Sequence, residues 1–147
     1  MIDVYVATAS TPIDSLWMSG CGILLVYDDE QQQRHRFLSF GLDLASPSAA
    51  IIQAVLLALL AINHTSRHTQ IIIHLPDYEL LSQLSHPTKD HAELIRRYEF
   101  FIDIGFLVET PDNPHISACQ KMAQAACDSQ TSVDSLTRDG LPTYGQD

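Results

Sequence analysis

The sequence is short of positive charge. Eight Lys and Arg stand against 18 Asp and Glu, for a net charge of −10. A surface this acidic repels phosphate backbones over most of its area, and the counterion release that drives non-specific nucleic-acid affinity needs clustered Lys and Arg. A tight nucleic-acid binder is therefore disfavoured. Cysteine is scarce as well. Cys21, Cys119 and Cys127 are odd in number and form no Cys-x-x-Cys pair, which argues against a disulfide scaffold and a thiolate zinc cluster. Long apolar runs are missing. The longest, Ala49 to Ile62, contains Gln53 and is too short to span a bilayer. Met1-Ile2-Asp3 opens a strand-like pattern with no charged leader region. The expectation is a soluble, cytoplasmic protein with no membrane partner. There is no Gly-rich phosphate loop, and Ser10, Ser15 and Ser19 sit in no nucleophile elbow.

What remains is a chain of 147 residues, 46% apolar and 18% charged, with mean hydropathy +0.02. That is enough for one domain with its own core, and it excludes disorder, collagen and coiled coil. Residues 2–10, 20–28 and 34–44 read as strands, rich in β-branched and aromatic side chains. Their short connections predict an antiparallel meander. Ser46-Pro47-Ser48 opens a helix running to about Ile62, by a Ser N-cap followed by Pro at the first helical position. That helix is apolar on nearly every face, which predicts deep burial, or burial plus a partner surface. Residues 70–75 read as an inner strand, 77–84 as a helix, and 89–104 as a helix closed by Gly105. A last strand, 106–109, and a helix over 116–126 follow. The domain is expected over 1–127, and the polar stretch 128–147 is expected to be a flexible tail.

The order βββαβααβα is that of the ribonuclease H fold, and local motifs resemble that superfamily from residue 2 to about 127. Gly20-Cys21-Gly22-Ile23 is similar to the glycine-spaced start of its second strand. Ser48-Ala49-Ala50-Ile51-Ile52-Gln53-Ala54 is similar to its Ala-Glu-Leu-x-Ala helix. Ile71 to Tyr78 resembles its strand ending in Thr-Asp-Ser-x-Tyr, and Ala118 to Ala123 its last helix. The resemblance implies an α/β architecture: a five-stranded mixed sheet, three antiparallel strands then two parallel, with helices on both faces. It also implies a two-metal site in which four carboxylates hold divalent ions on the sheet, because Mg²⁺ demands several hard, negative oxygen ligands. In this chain the matching positions read Ala7, Ile51, Leu75 and Gln120. None can ionise. The nearest acids are Asp3, four residues back along the first strand, and Asp77, which suits a helix N-terminus.

The expected function is accordingly that of a catalytically inactive ribonuclease H-like domain, a pseudo-enzyme serving as a binding or scaffolding module. It would act through a protein partner or a homodimer, with no cofactor. The alternatives are a nuclease on RNA–DNA hybrid using Mg²⁺ or Mn²⁺, and a non-cleaving nucleic-acid binder. For weak nucleic-acid contacts the candidates are Lys89, Arg96 and Arg97. They alternate with Asp90, Glu93 and Glu99, as on a solvated helix face. His64 and His68 read as a helix end, His115 as a loop residue, and Cys119 and Cys127 as small buried residues, while Trp17 reads as a cap on the core ahead of the alternative, a small exposed apolar contact site.

Overall fold

A computed structural model describes residues 1–28, 33–62, 68–86 and 91–138. Among the described residues, six strands form one sheet: β1 (Ile2–Ile13), β2 (Leu16–Asp28), β3 (Gln33–Asp43), β4 (Ile71–Leu75), β5 (Ile104–Val108) and β6 (Val133–Arg138). Their spatial order is β5-β4-β1-β2-β3-β6. The first three strands are antiparallel, and β4 and β5 run parallel to β1, as the resemblance implied. The helices are α1 (Pro47–Ala61), α2 (Tyr78–Ser85), α3 (Ala92–Phe100) and α4 (Pro114–Ser129).

Alternation along β1 sends Ile2, Val4 and Val6 to one face, where α1, α2 and α3 supply Ile51, Val55, Leu59, Leu84 and Leu94 to the main core. Tyr5 and Ala7 point to the other face, against Cys119 and Met122 of α4. The glycine spacing of β2 has its reason here. A Cβ on Gly22 would come within 2.1 Å of the Cys119 carbonyl oxygen, and one on Gly20 within 2.3 Å of the Cys127 nitrogen. Backbone of helix and strand thus meet with no side chain between them. The uniformly apolar α1 is accounted for by burial: Ile52, Leu56 and Leu57 pack against the same core as its fully buried residues.

Several expectations need correcting. The sheet has a sixth strand, and it lies inside the stretch read as a tail. α4 runs on to Ser129, Gln130 caps it in the left-handed conformation (φ 52°), and β6 then pairs antiparallel with β3. Low apolar content misled the sequence reading, because β6 is an edge strand held by polar contacts. Arg36 on β3 donates to both carboxylate oxygens of Asp134, at 2.9 and 2.6 Å, and to the Ala61 carbonyl at the end of α1 (3.2 Å). Gly105 is not a helix cap but the second residue of β5, and α3 stops at Phe100. β1 and β2 are also longer than read, meeting in a two-residue turn at Asp14-Ser15. Trp17 therefore stands near a hairpin tip, 38% exposed, beside the more exposed Ile13 and Leu16, rather than capping the core.

Candidate functional site

Two groups of side chains are brought together near the centre of the sheet. The first is an open cleft of about 570 Å³ beside the middle of β1, just past the end of β4. Ala7 and Thr8 of β1, Pro47 and Ser48 at the start of α1, Pro76 and Asp77 before α2, Glu79, Leu80 and Gln83 on α2, and Gln120 of α4 line it. Local sequence sets these positions. Ser46 caps α1 by accepting a hydrogen bond from the Ala49 amide at 3.3 Å, with Pro47 at the first helical position. Asp77 caps α2 by accepting from the Glu79 amide at 2.5 Å.

Of the four positions singled out from sequence, Ala7 and Gln120 face this cleft together. Ile51 and Leu75 do not line it; both are fully buried in the main core. The same elements reach the cleft instead through Ser48 and Pro47 on α1 and through Pro76 and Asp77 after β4. Two carboxylates, Asp77 and Glu79, therefore lie in the cleft wall, with hydroxyls and carboxamides around them and no Lys, Arg or His among the lining residues. Among the described residues, no three His, Cys, Asp or Glu side chains are grouped so as to hold a metal ion. The donor set does not fit a pair of Mg²⁺ ions, which would require more negative oxygen around them. Of the candidate nucleic-acid contacts, Lys89 lies outside the described residues. Arg96 is paired with Glu93 one turn away on the exposed face of α3. His64 also lies outside the described residues, and His68 is exposed.

The second group is a polar network that the sequence reading did not assemble. His74, 5% exposed, is the one polar residue in the run Ile71-Ile72-Ile73-His74-Leu75 of β4. Its Nε2 lies 2.8 Å from Asp3 Oδ1 and its Nδ1 lies 2.6 Å from Glu109 Oε1. Both ring nitrogens are thereby engaged by carboxyl groups, one before β4 in sequence and one after it. The second Glu109 oxygen accepts from the Asn113 side chain at 3.2 Å. Asn113 in turn caps α4, accepting from the amides of His115 (2.9 Å) and Ile116 (3.2 Å). The Tyr5 ring stacks on His74, with centroids 4.1 Å apart and planes 13° from parallel. Tyr5 also meets the His115 ring, with centroids 4.6 Å apart and planes tilted by 48°. Burial, with Asp3 and Glu109 adding to it, pushes the Tyr5 phenol up to about 12, so it stays protonated. Burial holds the His115 imidazole below its ordinary value, and His35 and His74 nearby act in the same direction.

One signal in the sequence pointed here: a histidine inside an otherwise apolar inner strand must find partners. Which partners was not readable, since Asp3 and Glu109 lie 71 and 35 residues away. The serines resolve into structure as well. Ser19 is buried, donates to the Ala45 carbonyl at 2.7 Å and bonds the Ser10 hydroxyl at 2.7 Å.

No protein-family model and no curated protein matches the chain. Solved structures do. The type 1 ribonuclease H named LC9-RNase H1, described as carrying the type 2 active-site motif, superimposes with TM-score 0.72 over 91% of this chain and 77% of its own, at 13% identity. The chain has the ribonuclease H-like fold. LC11-RNase H1, solved in complex with an RNA/DNA hybrid, matches with TM-score 0.66 at 11% identity, covering 87% of this chain and 97% of that one. RNase H1 from the halophilic archaeon Halobacterium salinarum matches with TM-score 0.60 at 16% identity, covering 86% and 97%. Among the described residues, no helix of this ribonuclease H-like chain is long and apolar enough to cross a membrane.

Proposed function

We propose that this chain is a ribonuclease H-like domain that no longer cuts phosphodiesters and acts as a binding module through contacts with protein. One observation carries the reading. The cleft where β1, α1, β4 and α4 converge presents two carboxylates, one of them engaged as a helix cap, while Ala7 and Gln120 occupy the positions matched to metal-binding acids. Two-metal hydrolysis depends on enough negative oxygen to hold both ions against their mutual repulsion. The net charge of −10 and the lack of cations in the cleft wall support a protein rather than a nucleic acid as the partner.

The test is cleavage of a labelled RNA–DNA hybrid by purified protein in Mg²⁺ and in Mn²⁺. The expected result is uncut hybrid in both. Asp77 and Glu79 favour a second reading, in which they hold a single divalent ion for residual nuclease activity. Cleavage that is abolished by Asp77→Asn would establish that reading in place of the first.

A further inference from the structure

The two edges of the sheet are built differently. β6 carries Asp134 locked to Arg36, a charged device that protects an edge. β5 has none. Its five residues, Ile104-Gly105-Phe106-Leu107-Val108, include no Pro and no charge, and they keep unbroken register with β4 from Ile71↔Ile104 to Leu75↔Val108. Ile104 and Phe106 turn to the core, while Leu107 is 50% exposed. Nearby, Phe100 and Ile102 are 41% and 60% exposed. Gly105 shares the Leu107 face, and a Cβ placed on it would meet nothing within 4 Å. The edge therefore offers a backbone ladder, an apolar side chain and an open notch one step away.

Deepening the protein-binding reading above, on which it rests, we infer that β5 receives an extended segment of a partner protein as a seventh strand. The segment places an aromatic residue over Gly105 and a basic residue near Asp103. An aromatic ring opposite an edge glycine covers the bare backbone and restores the missing cross-strand contact. The basic residue follows from charge: Asp103 is exposed at the start of the strand and the chain carries −10 overall. A second copy of this chain is the poorer occupant. Antiparallel pairing of two β5 strands centred on Phe106 would set Asp103 opposite Glu109 between two strongly acidic molecules.

The probe is a short synthetic peptide alternating threonine and valine, with a central tryptophan and lysine at both ends, titrated into ¹⁵N-labelled full-length chain. The expected result is saturable shifts of the backbone amides of 104–108. Leu107→Lys, an exposed change that leaves the fold intact, should weaken binding about tenfold or more. Replacing the peptide's tryptophan by serine should weaken it similarly. Absence of shifts in β5 overturns the inference, as does equal affinity for Leu107→Lys, or concentration-dependent self-association through β5 without peptide. Those failures leave the hybrid assay unaffected. A cut hybrid would overturn the parent reading, whatever the peptide does.

Discussion

Asp3 and Ala7 lie about 13 Å apart along β1, at roughly 3.3 Å per residue, and their surroundings have opposite chemistry. At Asp3 and Tyr5 the strand supports a closed polar network, with each His74 nitrogen on a carboxyl group, the His74 ring stacked on Tyr5 and the His115 ring tilted against it. At Ala7 it supports an open cleft in which matched positions carry small, apolar or neutral groups. The lesson concerns the cost of burying charge. Partly buried carboxylates persist in this protein where a histidine and a helix-capping asparagine satisfy them. Where partners would have to come from solution, the strand carries alanine.

The sharpest way to break this comparison is to move charge into the apolar partner of the cleft. Ile51→Glu buries a carboxylate at a position with 0% exposure and is expected to destabilise by about 4 kcal/mol or more, measured by urea unfolding. Gln120→Glu, at the exposed cleft wall, should stay within about 0.5 kcal/mol of the parent. Equal tolerance of both would mean that Ile51 faces the cleft after all. Next in size is His74→Leu. It leaves Asp3 and Glu109 without their shared partner, and about 3 kcal/mol of unfolding free energy should be lost. Pairing it with Asp3→Asn and Glu109→Gln should recover most of the loss, because the stranded charges are gone.

A smaller effect comes from pH. Burial lowers the folded-state pKa of His115 and of His35, so the unfolded chain takes up those protons first. Their contribution is intact above the unfolded value of about 6.5 and declines as pH falls below it toward the folded values. Each unit of difference corresponds to about 1.4 kcal/mol. Unfolding midpoints compared across that window should drop on acidification, and His115→Gln should flatten the slope. The smallest effect belongs to Asp134→Ala, which removes a bidentate but half-exposed partner of Arg36. A loss of about 0.5–1 kcal/mol is expected, with faster amide exchange confined to β6.

Much of the architecture was legible beforehand, and particular residues say why. Ser46-Pro47 marks a helix start through backbone chemistry that acts within three residues, and the alternation in Ile2 to Val6 assigns faces to a strand. β6 escaped because an edge strand needs one neighbour and little apolar surface, and its anchor Arg36 lies 98 residues away. Gly105 was misplaced because glycine after a helical pattern signals a cap as readily as an open edge. The candidate site divides in the same way. That Ala7 and Gln120 carry no carboxylate was visible as letters, while the grouping of Asp3, His74, Glu109, Asn113 and His115 was not.

Sequence alone determined the order of most elements, the sign of the net charge and the lack of an ionisable side chain at Ala7, Ile51, Leu75 and Gln120, because these depend on residue type and short-range periodicity. Tertiary structure alone decided that Ile51 and Leu75 belong to the core, that His74 sits between two carboxyl groups and that β5 is the end strand of the sheet among the described residues. Each of those depends on which distant segments the folded sheet brings within a few ångströms, and no local preference encodes that.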